Sequence, residues 1–353
     1  MTTKPKIKLN LRPAQPTFIE VCAGCGGLSK GFIEAGFRPL LLNEVDKVCC
    51  QTLEKNHPNA NIACDSMLNL NLKPYLGQVN LLMGGVPCQS FSHAGQRKGL
   101  NDDRGDLILQ FRRLLDECQP HIFLIENVKG LLTHDNGKTL TKVLNNLGQN
   151  GQSGQIDYNI QYQVLNAKDY DVPQKRERVI IVGVRTDITI PWEFPKPSST
   201  IVLLRDVLIN CPPSQGATYP AKKKSVMDLV PSGGCWVDLP VDIQKSYMGK
   251  SYSSGGGKRG IARRLSLDEQ CLTLTTSPCQ MQTERCHPTE TRPLNVREYA
   301  RIQTFADDYE FCGSMAQQYK QIGNAVPVKL ACHLGLVSLD FVNAVQSCSS
   351  HQI

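Results

Sequence analysis

A chain of 353 residues, 41% hydrophobic and 20% charged, has apolar side chains enough for one large domain with a smaller one attached. No stretch approaches the ~20 consecutive apolar residues of a membrane span, and no apolar signal segment follows Met1-Thr2-Thr3-Lys4-Pro5, so a membrane partner is not expected. Fifteen cysteines at scattered spacings exclude a secreted disulfide framework and predict reduced thiols, while the net charge of +7 is uneven enough, at Lys222-Lys223-Lys224, Lys258-Arg259 and Arg263-Arg264, to point weakly to a polyanion.

The first half alternates short apolar runs with segments long enough for crossover helices. Strands are predicted at 17–21, 39–42, 60–64, 79–83 and 121–125, a helix at 29–35, and two more strands of the same sheet at 160–165 and 178–184. This is a doubly wound α/β pattern. From about Trp192 the texture changes to Pro191, Pro195, Pro197, Pro212-Pro213, Pro220, Pro231, Pro240 and the run Gly255-Gly256-Gly257. The reading is a large domain at 1–193, a loop-rich smaller domain at 194–315 and a final segment at 316–353 with a helix at 326–345, opened by Pro327.

Candidate chemistry gathers at predicted strand ends, where open α/β sheets bind ligands. Cys22-Ala23-Gly24-Cys25-Gly26-Gly27-Leu28 is a glycine-rich turn before a helix, suited to a nucleotide-like cofactor. Its spacing is not G-x-G-x-x-G, which disfavours a nicotinamide dehydrogenase, and Cys22 and Cys25 lack a second pair at zinc spacing, so no metal is expected. Glu44 is placed to accept from two ribose hydroxyls and Asp65 from an adenine amino group, although each could equally cap a helix. Cys88, in Gly84-Gly85-Val86-Pro87-Cys88-Gln89-Ser90, stands where a thiol can react; a small buried hydrophobe is the bland alternative. Glu126 closes an apolar strand, where desolvation favours its protonated form and makes it an acid candidate. Arg176 and Arg178 alternate, so both are expected on one side, holding Glu126 and a substrate carbonyl, with a surface salt-bridge ladder as the alternative.

In this order the residues resemble the cytosine-5 DNA methyltransferases. Ala23-Gly24-Cys25-Gly26-Gly27, Asn43-Glu44, Pro87-Cys88-Gln89, Asp102-Asp103-Arg104-Gly105-Asp106-Leu107, Glu126-Asn127-Val128, Gln174-Lys175-Arg176-Glu177-Arg178, Arg292-Pro293-Leu294-Asn295-Val296-Arg297-Glu298 and Gln321-Ile322-Gly323-Asn324-Ala325-Val326-Pro327 are similar to the family's blocks, in the family's order. They span 18–330; the unmatched region 192–291 corresponds to the family's target-recognition part.

The resemblance implies a Rossmann-like methyltransferase fold with a mixed sheet. It also implies S-adenosylmethionine, held by Cys22, Ala23, Gly24, Cys25, Gly26, Gly27, Glu44, Val45, Asp65, Ser66, Pro87, Leu107, Asn324, Ala325 and Val326. Cys22 stands where family members commonly carry an aromatic residue that stacks on the adenine, so cofactor affinity is expected to suffer. The Cys88 thiolate would add to C6 of a flipped cytosine, Glu126 would bond N3 and the exocyclic amine, and Arg178, with Arg176, would hold O2 while C5 takes the methyl group.

On the nucleic-acid side, 90–105 would be a mobile lid, with Gln89, Ser92, Arg97, Lys98 and Arg104 facing DNA. Lys258, Arg259, Arg263, Arg264, Gln280, Gln282 and Arg285 would serve base edges or phosphates of a double-stranded target of about four to six base pairs. A monomer in the bacterial cytosol is expected, with a cognate restriction endonuclease as the partner a modification enzyme implies. The rivals are a transfer-RNA cytosine-5 methyltransferase, which would label RNA, and a catalytically dead DNA-binding regulator, which would have no need of Cys88, Glu126 and Arg178 together.

Overall fold

The central strands have no polar face. In β5 (Ile122–Val128), Ile122 and Leu124 pack on one side of the sheet and Phe123 and Ile125 on the other, as the two-residue period of a strand buried on both faces requires. The computed structural model describes residues 15–86, 107–148, 156–253 and 260–349. In chain order the first elements are β1 (Thr17–Val21), α1 (Gly27–Ala35), β2 (Arg38–Glu44), α2 (Lys47–Asn56), β3 (Asn61–Cys64), β4 (Leu81–Gly84) and α3 (Leu107–Cys118), ahead of β5. After it come α4 (Lys138–Gly148), β6 (Tyr158–Asn166), β7 (Gln174–Lys175) and β8 (Glu177–Arg185).

The seven-stranded sheet runs β3-β2-β1-β4-β5-β8-β6. The first five strands in that order are parallel, and β8 lies antiparallel to both β5 and β6. All seven strands expected from the sequence are present, with bounds shifted by a few residues, and the strand order reverses between β1 and β4. A crevice opens at the carboxyl ends of strands at such a point.

Beyond β8 come the short helices α5 (Leu204–Leu208), α6 (Ala221–Asp228) and α7 (Val241–Met248), then β9 (Cys271–Leu272), α8 (Val296–Ile302), α9 (Met315–Asn324) and α10 (Val328–Ser349). β9 pairs in parallel with β7, which ties the loop-rich region to the large sheet's connections. One apolar cluster there gathers Leu204, Leu274, Tyr299 and Ile322 with Cys25 of the glycine loop, and a smaller one holds Met227, Leu239, Met248 and Cys286.

α10 returns to pack on α1. A Cβ on Gly31 would lie 2.4 Å from Ala331 Cβ, and one on Gly335 2.6 Å from Ala35 Cβ, so two glycines set how closely the helices approach. The run Met315–Cys348 is long and apolar enough to cross a membrane by length and composition, but 61% of its most apolar window is buried within the protein.

The expectation of free thiols throughout needs one correction. Cys50 of α2 and Cys64 at the end of β3 are joined as a disulfide, their Cα atoms 5.8 Å apart. The fold sets the tip of one element beside its neighbour, a proximity that a separation of 14 residues does not announce.

Candidate active site

The parallel strands β1, β2, β4 and β5 aim their carboxyl ends at one crevice, and a cavity of about 640 Å³ lies there. That size falls in the ~300–1,000 Å³ range usual for small-molecule sites. Its wall includes Cys22, Ala23, Gly24, Cys25 and Gly27 after β1, Glu44 and Val45 after β2, Gly85 and Val86 after β4, Glu126 and Asn127 of β5, and Asn324, Ala325 and Val326 between α9 and α10.

The glycine loop is shaped by what crowds it. Gly24 and Gly26 hold φ of +56° and +83°, and a Cβ on Gly26 would fall 2.8 Å from His57, Leu53 and Tyr309. A Cβ on Gly27 would come 2.3 Å from Val326 O, so α1 begins directly against the segment that floors the cavity. Glu44 fixes this loop from the neighbouring strand. Its Oε2 accepts from Gly24 N at 2.8 Å, and its Oε1 accepts from Val45 N and Asp46 N at 2.8 and 2.9 Å.

Cys22 adopts φ of +54° and lines the cavity, and burial pushes its thiol up to about 12. Cys25 donates to Gln321 O at 3.4 Å, and its thiol is also raised, chiefly by burial. Both are therefore neutral near pH 7 and unsuited to nucleophilic or redox work.

At the β5 end, Glu126 Oε1 lies 2.8 Å from Arg178 Nε on the antiparallel neighbour β8, with both side chains almost buried. The pair is close but off hydrogen-bond geometry, leaving Glu126 Oε1 without a hydrogen-bond partner among the described residues. Next to it, Asn127 Nδ2 donates to Val86 O at 2.8 Å, so β5 holds the backbone that leaves β4. A Cβ on Gly85 would stand only 3.8 Å from Glu126 Oε2. Pro87, Cys88, Gln89, Ser92, Arg97 and Arg104 lie outside the described residues, as do Lys258 and Arg259.

Several expected roles need correction. Arg176 does not join Arg178 at Glu126. It is 1% exposed, and its guanidinium donates to Leu274 O at 3.2 Å, Gly323 O at 3.1 Å and Asn324 O at 3.4 Å. Burial, with Arg178 nearby, pulls it down to about 9.

Arg264 is no surface DNA contact either. It is buried and donates to Val230 O, His287 O, Glu290 O, Met227 O and Thr291 Oγ1. Arg285 likewise turns inward, to Glu284 O and Thr273 O. Carbonyls buried at loop ends need donors, and these two arginines supply them. Arg263 is mostly covered and lies 3.3 Å from Glu269, whereas Gln280 and Gln282 are exposed.

Asp65, Ser66 and Leu107 do not line the cavity. Asp65 Oδ1 accepts from Ser66 N and Asn69 Nδ2, while the cap of the short helix Met67–Asn69 is Ser66, whose Oγ accepts from Leu68 N at 3.3 Å. Gly26 shapes the loop from behind rather than from the wall.

Among the wall residues that had escaped notice are Glu20, His134 and Lys320. Glu20 of β1 lines the cavity, accepts from Ser29 Oγ, and is raised by burial to about 8; an acid inside the apolar run Thr17–Val21 was its signal. His134 bonds Thr139 Oγ1 through Nδ1 at 2.6 Å and precedes three residues of positive φ. Lys320 lies 3.5 Å from Asp46.

The chain matches the family model described as C-5 cytosine-specific DNA methylase over residues 16–337. It is 49% identical over 341 residues to the Type II methyltransferase M.PspPI of Psychrobacter sp. (strain TA137), covering 93% of this chain and 80% of that one. To the Type II methyltransferase M.Eco47II of Escherichia coli it is 48% identical over 328 residues, covering 90% and 78%. A solved structure of a Spodoptera frugiperda DNMT2 mutant superposes with a TM-score of 0.67 over 92% of this chain and 99% of that one, at 16% identity, a likeness of fold. The chain belongs to the C-5 cytosine-specific DNA methylase family. It is an enzyme that methylates C5 of cytosine in DNA.

Proposed function

We propose that the methyl donor is S-adenosylmethionine, bound in the cavity between Glu44 and Asn324, and that the enzyme modifies one short double-stranded sequence as the methylase of a restriction-modification pair, acting as a monomer. With Glu20 kept neutral by burial, Glu126 beside Arg178 and Asp46 beside Lys320, Glu44 is the wall acid that faces no cation among the described residues, which suits a ligand carrying positive charge. The donor, when bound, supplies an electrophilic methyl group. A Cβ on Gly24, which lines the cavity, would meet no described atom within 4 Å, so the space beside it is open to the donor.

The observation that carries the mechanism is the junction of Glu126, Arg178 and Asn127 at the exit of β4. Cys88 follows Val86 by two residues, so chain length alone keeps their Cα atoms within about 7 Å. Its thiolate adds to C6 of an extruded cytosine, Glu126 bonds N3 and the exocyclic amine, and Arg178 serves O2 while C5 gains the methyl group. Transfer leaves the donor as the neutral thioether S-adenosylhomocysteine, and loss of the C5 proton to a water then restores the C5–C6 double bond and expels the thiolate. The base must leave the duplex stack to reach this depth.

DNA is preferred over transfer RNA because the relatives that are about half identical are Type II methyltransferases. The large domain of this reading is 1–193, the target-recognition domain is 194–315, and 316–353 completes the former. In a tritiated-methyl assay on plasmid DNA, Cys88→Ser abolishes transfer while S-adenosylhomocysteine still binds; turnover at the wild-type rate in that variant overturns the assigned nucleophile.

A further inference from the structure

Both backbone polar atoms of one residue in the target region are held by the large domain. Leu274, two residues beyond β9, donates through its amide to Gln174 Oε1 at 2.9 Å, and its carbonyl accepts from Arg176 Nη1 at 3.2 Å. The same two side chains reach the cavity floor. Gln174 Nε2 donates to Gln303 Oε1 at 2.9 Å, and Gln303 Nε2 donates in turn to Ile322 O at 2.7 Å and Ala325 O at 3.1 Å. Arg176 Nη2 donates to Gly323 O and Asn324 O. Asn324 and Ala325 line the cavity.

Packing closes the remaining freedom. Gln174 and Gln303 are wholly buried, so neither can exchange a lost partner for water. A Cβ on Gly323 would fall 2.1 Å from Thr275 O, which places the next residue of the target region against the last turn of α9. Any displacement of Leu274 and Thr275 must therefore move 322–325 with it or strand buried amide groups, at a cost of the desolvation of each.

We propose that Gln174, Gln303 and Arg176 are positioning residues that couple DNA engagement by the target region to cofactor binding at the far side of the same joint. This rests on the reading of the cavity as the S-adenosylmethionine site and of 194–315 as the DNA-reading part. Coupling is a ratio of affinities, and a merely structural role would lower both affinities and leave the ratio alone.

The test is titration of S-adenosylhomocysteine into the full chain, with and without saturating unmethylated plasmid DNA. The wild type is expected to bind the analogue about tenfold more tightly with DNA present. In Gln303→Leu and in Gln174→Leu that ratio falls towards one, whatever the affinity without DNA. Should Gln303→Leu fail to fold, Gln174→Leu, which cuts the line at Leu274, gives the same readout. A wild-type ratio of one, or a wild-type ratio retained in the folded variants, overturns the coupling. If the wild type does not bind the analogue at all, the cofactor reading itself falls and the coupling with it, a result distinct from binding with an unchanged ratio.

Discussion

Glu44 Oε2 accepts the Gly24 amide at 2.8 Å, so the acid that ends β2 fixes the loop that leaves β1. Its other oxygen takes two further amides, which leaves one free lone-pair direction for a ligand hydroxyl. Glu44→Ala is expected to weaken S-adenosylhomocysteine binding by about 10–100-fold, from the loss of charge-assisted bonds. Calorimetry checks this, with circular dichroism showing that the sheet persists.

Arg178 and Glu126 meet across an antiparallel register, 2.8 Å apart and little exposed. Removing one partner leaves the other charge uncompensated, at a cost of about 3–5 kcal/mol where burial is complete and less here. Arg178→Ala should lower the methyl-transfer rate at least ~100-fold by removing a transition-state partner. Cofactor affinity should hardly move. Single-turnover kinetics and binding measured on the same preparation separate the two effects.

Glu20 gives a pH signature. Its folded value of about 8 exceeds the ordinary 4.5, so between these limits the folded state keeps a proton that the unfolded state has released. Stability therefore falls as pH rises from about 4.5 to about 8 and levels off above. At pH 7 the cost is on the order of 3 kcal/mol. Urea denaturation of Glu20→Gln at pH 5, 6, 7 and 8 should show a flatter profile than wild type and greater stability at the alkaline end; parallel profiles would refute the assignment.

Arg264 is expected to act on the fold rather than on DNA. Arg264→Met strands several buried carbonyls and should destabilise by about 3 kcal/mol or more, seen as an earlier thermal transition. The slope of DNA affinity against salt should stay unchanged, because no phosphate contact is lost. A reduced slope would return Arg264 to the DNA face.

The strand positions and the glycine loop were legible because apolar runs and glycine clusters leave marks on local sequence, whereas the order of the strands in the sheet was not. Glu126 and Arg178 were expected together from their places beside strands, and the antiparallel register sets the end of β5 against the start of β8. Arg176, Arg264 and Arg285 were misread for one shared reason. Their partners are backbone carbonyls, many of them from segments far along the chain, and no spacing rule reports where such carbonyls are left bare. Asp65 was underdetermined, since one carboxylate caps a turn or binds an amine with equal ease. The pairing of β7 with β9 was invisible, each strand being two residues long. The capping boxes Asn295/Glu298 and Ser314/Gln317 were present in sequence and could have marked α8 and α9.

The seating of α10 on α1 has a consequence for how the protein is made. The apolar side of α1 emerges from the ribosome roughly 300 residues before Ala331 and its neighbours are available to cover it. At ordinary elongation rates that is a delay of about 15–60 s, during which the face of α1 around Gly31 and Ala35 stands without its partner helix. A nascent chain arrested before residue 328 would be a sticky one, and the enzyme would become safe from aggregation only as its last helix is released.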